Sequence, residues 1–308
     1  MKIITTVREM QETADELRKK KRIGFVPTMG YLHEGHLALV RKARELADVT
    51  VVSIFVNPIQ FGPTEDLAKY PRDLDRDMKL LEQERTDILF YPPYEEMYPN
   101  GYTTYAQVRG LEDYLCGQTR KGHFVGVATV VAKLFNMVKP HIAVFGQKDY
   151  QQLTIIERMV KDLNMDVRII PHPTVREEGG LAMSSRNTYL SSAEREKALL
   201  IYASIKRLQE LVKRGERDSL LLKEEARRLL ASDNGINIEY VSISDPETLA
   251  EVDSVKDRAV YAVAVRIGKT RLIDNAMLEG EQRYSKYDGI KNAPRVWPNE
   301  KNREMRLN

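Results

Sequence analysis

The sharpest chemical feature of the 308-residue chain is His33-Glu34-Gly35-His36, where an apolar stretch and a loop give way to a helical pattern. Histidines three residues apart share one face of a helix. The first turn of a helix presents unpaired N–H groups and a partial positive charge, so it attracts phosphate. Two imidazoles there can donate hydrogen bonds to phosphate oxygens as charge builds on a leaving group. Gly35 leaves room for a nucleotide to approach. Zinc is the competing chemistry, but the metalloprotease pattern needs histidines four apart. Here they are three apart, with no third ligand nearby.

Further groups have types suited to the same chemistry. In residues 145–152 (FGQKDYQQ), Gly146 permits a sharp turn and Asp149 can cap the helix that follows. Lys148 is a point charge suited to phosphate, and Gln152 offers both donors and acceptors. In residues 181–187 (LAMSSRN), the hydroxyls of Ser184 and Ser185 and the guanidinium of Arg186 suit phosphate, although this is also good loop chemistry. Asn57 and Gln60, in NPIQFGP, are neutral polar groups that suit a small polar substrate rather than proton transfer. His123, in KGHFVG, is a weaker candidate, and His141 and His172 read as structural. Cys116 is the only cysteine, so no intrachain disulfide can form, and nothing around it reads as an activating base.

These residues need elements to hold them. Residues 7–21 read as an exposed amphipathic helix, 23–27 as a buried strand and 33–46 as a helix. The run 49–56 (VTVVSIFV) is nearly continuous in apolar residues, the mark of a strand covered on both faces. A polar helix follows over 73–84, then a strand over 87–91, an irregular stretch to about 122 and a helix over 127–138. A strand over 141–145, a helix over 149–163 and a strand over 167–170 complete the alternation. Alternating strands and helices imply a parallel sheet covered on both sides, with ligands beyond the carboxyl ends of its strands. The loops PTMGYLHEGH, NPIQFGP and FGQKDYQQ all follow apolar strands, so they converge on one sheet edge. From about Glu177 two charged helices, 193–214 and 219–231, precede strands at 238–243, 259–265 and 271–273, the pattern of a small α+β domain.

Composition narrows the partners. The chain is 42% hydrophobic and 30% charged, as an ordinary globular protein is. A net charge of +3 gives no footprint for nucleic acid or an anionic membrane. No stretch approaches the roughly 20 apolar residues of a membrane span, and no signal-peptide run opens the chain. A reducing cytoplasm fits the single cysteine.

VPTMGYLHEGH, SIFVNPIQFGP, GHFVGVATVV, FGQKDYQQ, PTVRE and GLAMSSRN stand in one order and spacing, and together they resemble the pantothenate synthetase family over the chain to about Glu279. The resemblance implies an α/β fold with a Rossmann-like parallel-sheet domain of the HIGH-motif nucleotidyltransferase type over 1–176. A smaller C-terminal α+β lid domain spans 177–283, and a polar tail covers 284–308. The implied reaction joins pantoate to β-alanine. Pantoate attacks the α-phosphate of Mg²⁺-bound ATP, pyrophosphate leaves, and β-alanine then takes the pantoyl group from the adenylate and releases AMP.

By the same resemblance, His33 and His36 meet the ATP phosphates, and Met29 and Gly35 lie beside the nucleotide and pantoate. Asn57, Gln60 and Gln152 hold pantoate, with Met29. Gly146, Lys148 and Asp149 bind the nucleotide, Asp149 at the ribose and Lys148 at phosphate, and Val175 and Met183 join that set. Ser184, Ser185 and Arg186 close over the phosphates, and Asp77 helps to hold Mg²⁺ through water. A homodimer is implied as well. The rival readings are another HIGH-motif nucleotidyltransferase acting on a small carboxylate or phosphate, an aminoacyl-tRNA synthetase, against which no tRNA-binding domain is evident in the sequence, and a non-catalytic nucleotide sensor.

Overall fold

A computed structural model describes residues 1–63 and 65–280. The tail expected over 284–308 and the only tryptophan, Trp297, lie outside the described residues. The N-terminal part runs β1 (Lys2–Ile4), α1 (Val7–Arg18), β2 (Ile23–Thr28), α2 (Glu34–Leu46), β3 (Val49–Ile54), α3 (Leu74–Gln83), β4 (Ile88–Phe90), α4 (Tyr94–Met97), α5 (Leu115–Thr119), α6 (His123–Val138), β5 (Ile142–Gly146), α7 (Tyr150–Asp162) and β6 (Arg168–His172). Its six strands pair in parallel in the order β1-β4-β3-β2-β5-β6.

The apolar strands read as they do because both faces are covered. Phe25, Val51, Phe90, Ala143 and Phe145 point into one core, with Met10, Leu134 and Ile155 from α1, α6 and α7. Their neighbours Val26, Val52, Leu89 and Val144 point into another, with Leu39, Val40 and Leu81 from α2 and α3. Side chains alternate across a strand, so a sheet buried on both sides requires every position to be apolar. The helix expected as exposed over 7–21 is α1, which buries Met10 and Ala14 completely.

Strand order decides where a ligand can bind. β2 lies between β3 and β5, so the chain leaves it toward one side of the sheet and later returns on the other. A crevice opens at the carboxyl ends of strands flanking such a switch. The loop after β2 carries His33 and His36, and the loop after β5 carries Lys148.

The second part packs α8 (Ser192–Lys213) and α9 (Ser219–Leu230) on an antiparallel sheet of β7 (Ile236–Ser244), β8 (Arg258–Ile267) and β9 (Thr270–Glu279). Leu208, Leu222, Tyr261 and Val263 are among its buried residues. It reaches the crevice through β9. The Asn275 side chain donates to the carbonyls of Gln147 and Lys148 at 3.0 and 2.7 Å. Beside it, Arg176 grips Asp274 through two bonds of 2.6 and 3.1 Å.

Candidate active site

The loop between β2 and α2 is held from below by α3. Tyr31 sits in the left-handed region at φ 51°, a conformation that a tyrosine adopts only when its surroundings impose it. The imposing group is Asp77, whose two oxygens accept the N–H groups of Tyr31 and Leu32 at 2.6 and 2.7 Å. Asp77 is buried, and burial lifts its carboxyl above the usual range against the pull of those N–H bonds and Arg76. In this structure the Asp77 carboxylate is a clamp on the loop that delivers His33. Among the described residues no group of three or more His, Cys, Asp or Glu side chains is assembled to hold an ion.

His33 caps α2 and stacks on His36, with ring centroids 4.0 Å apart. The His33 N–H donates to Nδ1 of His36 at 3.3 Å. A neutral His36 therefore carries its proton on Nε2, which is left to donate elsewhere. Nδ1 of His33 is buried with no partner among the described residues. Burial first, and then the charge of Lys148, pushes the His33 ring down to about 4. His36 is held well below the usual imidazole range by burial, by His33 and by Lys148. Both rings are thus neutral hydrogen-bond donors at neutral pH. Gly35 serves the pair directly, since a Cβ there would stand 2.9 Å from two atoms of the His33 ring. The glycine is required by the imidazole itself, before any nucleotide arrives.

Lys148 and Asp149 lie on a single 3-10 turn between β5 and α7. The sequence suggests Asp149 as the cap of α7, but its side chain makes no capping bond. It stands instead 3.7 Å from the Lys148 ammonium. Ser184 opens another 3-10 turn and accepts the N–H of Arg186 at 3.3 Å. The Arg186 guanidinium is engaged by Asp66 through two bonds of 3.0 Å. A second pair of the same form, Arg120 on Glu65 at 2.7 and 2.6 Å, lies beside it. Burial alone would raise both carboxyls, yet the facing guanidinium holds each below its ordinary range. Both pairs, with Lys148, Asp149, Gln152 and Ser184, line one cleft of about 920 Å³. Val175 accepts the Met183 N–H at 2.9 Å, and Met183 in turn approaches Gly35.

The polar residues after β3 form a tight knot. Asn57 donates to Oε1 of Gln60 at 3.0 Å and to the carbonyl of Gly126 at 3.1 Å, and it accepts the Tyr98 hydroxyl at 2.8 Å. Both of its amide hydrogens are spent within the protein, one of them on Gln60. Gln60 donates to the Met29 sulfur at 3.1 Å. Met29 lines a second hollow of about 450 Å³, together with Asp77. Gln151 is internal, binding the carbonyls of Leu111 and Tyr114 and the N–H of Cys116, whereas Gln152 faces the large cleft. His141 accepts the Ile23 N–H at 2.9 Å, a purely structural contact.

Sequence reasoning missed the two carboxylates that grip the arginines, Glu65 and Asp66, and also Asn275. A run of polar residues carries no sign of which arginine, 55 or 120 residues away, it will meet. It also ranked His123 low. That ring is half-buried between Arg120 and the Gln60 carbonyl, and burial first, then Arg120, lowers it to about 4.

The depressed histidines predict an acid-sensitive fold. Between about pH 6.5 and about 4 the unfolded chain binds protons that His33 and His123 refuse when folded. The stability they confer is therefore complete above about 6.5 and is lost as pH falls through that window, on the order of 3 kcal/mol for each ring. Urea midpoints at pH 7.5, 6 and 5 check this. A midpoint that does not fall across the series would show that the rings take protons as readily folded as unfolded.

Comparison with known proteins places the whole described chain in one family. The family model described as pantoate-beta-alanine ligase matches residues 2–277. The chain is 57% identical over 279 residues to the pantothenate synthetase of Thermotoga petrophila, covering 90% of this chain and 100% of that protein. It is 53% identical over 281 residues to that of Carboxydothermus hydrogenoformans, covering 91% and 99%. The crystal structure of pantothenate synthetase from Thermus thermophilus superposes with a TM-score of 0.86 at 46% identity, covering 91% of this chain and 100% of that one. Pantoate-beta-alanine ligase from Francisella tularensis, complexed with beta-gamma ATP and beta-alanine, superposes with a TM-score of 0.74 at 35% identity, covering 90% and 97%.

Proposed function

The chain belongs to the pantoate-beta-alanine ligase family, and from that premise we propose how its cleft works as an active site. The enzyme is a ligase that condenses pantoate with β-alanine, with ATP as co-substrate. The observation that carries the site assignment is the convergence, at one switch point of the sheet, of two neutral imidazoles and a lysine that also depresses their pKa.

ATP lies with its phosphates over the first turn of α2. A pantoate carboxylate oxygen forms a bond to the α-phosphorus, and the bond from that phosphorus to the bridging oxygen breaks. Pyrophosphate leaves with the electron pair. Nε2–H of His36 and the Lys148 ammonium meet the negative charge that grows there. Neutral donors suit this role because they stabilise oxygen without surrendering a proton. The amine of β-alanine then forms a bond to the pantoyl carbonyl carbon, the bond to AMP breaks, and the amine loses its proton. None of these steps needs a covalent link to the protein, so the chain's work is placement and charge. Gln60, with Gln152 and Met29, holds pantoate, and Asn57 acts through Gln60.

Mg²⁺ carried with ATP would neutralise charge on the phosphates, and Asp77, while clamping the loop of His33, would help to hold it through water. Arg186, Ser184 and Ser185 close over those phosphates once Arg186 exchanges Asp66 for them. The unit proposed over residues 177–283 acts as a lid tied to Lys148 through Asn275. The same reading extends to a homodimer, supported by the exposed aromatic side chains of Tyr91, Tyr94 and Tyr105. A monomer's mass by light scattering at micromolar concentration would count against it. A cytoplasmic setting is supported by the single, buried, unpaired Cys116, and cell fractionation tests it.

AMP release with MgATP, pantoate and β-alanine, each omitted in turn, tests the reaction. We expect AMP only when all are present. AMP with a different amine would displace β-alanine as the second substrate, and AMP without any amine would point to a different acceptor chemistry.

A further inference from the structure

We propose that His123 is a positioning residue for the pantoate site, fixing Gln60 through a relay that begins at Glu65 and passes through Arg120. The inference rests on the reading that Gln60 contacts pantoate.

Proton positions along the relay follow from the donor inventory alone. The Arg120 guanidinium has no acceptor atom, so at 2.8 Å from Nε2 of His123 it must donate and the imidazole must accept. The neutral ring then carries its proton on Nδ1, which lies 2.8 Å from the Gln60 carbonyl and donates to it. The other edge of Arg120 is fixed by the bidentate grip of Glu65. Three elements therefore set one carbonyl: the loop after β3 with Glu65, the end of α5 with Arg120, and the first residue of α6 with His123.

One turn along α6, Gly126 adds a second fixing point. A Cβ there would fall 2.6 Å from Cα of Gln60 and 2.7 Å from its nitrogen, so the helix backbone lies directly on this turn. The Gly126 carbonyl also takes the Asn57 amide at 3.1 Å, and Asn57 spends its other hydrogen on Oε1 of Gln60. Gln60 is thus held by its carbonyl, its backbone and its side-chain oxygen. What remains is its Nε2, whose partner is the thioether of Met29, a weak acceptor. A substrate oxygen is a better acceptor than sulfur, so the relay leaves one well-placed donor with its proton to offer. This gives a physical role to GHFVG, which the nucleotide chemistry leaves unused.

Pantoate-dependent exchange of pyrophosphate into ATP tests the relay through the KM values of pantoate and ATP. His123→Asn keeps a donor near Nδ1 and loses the acceptor facing Arg120, whereas His123→Gln does the reverse. We expect His123→Gln and His123→Ala to raise the pantoate KM about tenfold, the size of one well-placed hydrogen bond. The ATP KM should stay within about twofold, and His123→Asn, which keeps the donor to Gln60 but not the link to Arg120, should recover part of the loss. Adding His123→Ala to Gln60→Ala should raise the pantoate KM no further than Gln60→Ala alone, since both act through one contact. The relay is overturned if His123→Gln outperforms His123→Asn, if the two KM values rise together, or if the double variant is additive. An unchanged pantoate KM in Gln60→Ala would instead sink the assignment of Gln60 to pantoate, and with it the substrate that the relay serves. Circular dichroism on each variant separates these outcomes from loss of fold, and the Asn and Gln comparison stands even if the alanine variant does not fold.

Discussion

Replacing Lys148 with alanine should slow pantoyl adenylate formation by at least roughly a hundredfold, the effect of removing one preorganised donor from a developing charge. The case rests on how the cations of the cleft are engaged. Arg186 and Arg120 are each locked by a carboxylate in bidentate geometry. Among the described residues the Lys148 ammonium has only its chain neighbour Asp149, at 3.7 Å, beyond the range of a good hydrogen bond. Of these cations it is the one that can meet phosphate without first giving up a strong partner. Its main chain is also fixed, with Asn275 holding its carbonyl from the second sheet.

A secondary signature separates this from a simple loss of binding. The charge of Lys148 is among the causes that keep both imidazoles neutral. Without it the rings protonate more easily, so the acid limb of the residual activity should move to higher pH. ATP–pyrophosphate exchange measured against pH reads both effects. A rate near wild type would remove Lys148 from the phosphate site. A slow variant with an unmoved acid limb would show that Lys148 binds phosphate without setting the state of the histidines.

How much of this was legible beforehand depends on the range of the interaction that fixes each feature. The strands 23–27, 49–56 and 141–145 were readable because burial on both faces forces an unbroken apolar run, and their order with intervening helices then implied the parallel sheet. β1 was not readable: three residues with only Ile4 buried carry no period, and the strand exists because β4 offers it a parallel edge. α6 was placed one turn too late, at Val127, because its first turn holds His123 and Gly126, which look like loop until their contacts with Gln60 are seen. The motifs around His33, Lys148 and Ser184 are visible in the sequence because each is local. Pairs that cross long stretches of chain, Glu65 with Arg120, Asp66 with Arg186 and Asn275 with the Lys148 loop, left no local trace. Asp77 shows a role that residue type does not announce: an acidic helix start reads as a ligand for a cation, and its grip on the N–H groups of Tyr31 and Leu32, 46 and 45 residues away, leaves no local trace.

His36→Ala should reduce pyrophosphate exchange by at least roughly a hundredfold as well, and it should do so without harming the second half of the reaction. The tautomer argument makes the prediction specific. Because the His33 N–H occupies Nδ1 of His36, the donor available to the nucleotide is Nε2–H. A glutamine at 36 can place an amide N–H near that position, so His36→Gln should retain more activity than His36→Ala. Since the ring stays neutral well below the usual imidazole range, the wild-type rate should show no loss of His36 function between about pH 6 and 8. Once pyrophosphate has departed, the charge that His36 stabilises is gone. Chemically prepared pantoyl adenylate, given to the His36→Ala protein with β-alanine, should therefore release AMP at close to the wild-type rate. Equal damage to both half-reactions would mean that His36 holds the adenylate itself. Damage to the second alone would place the imidazole beside the amine and reverse its assigned role.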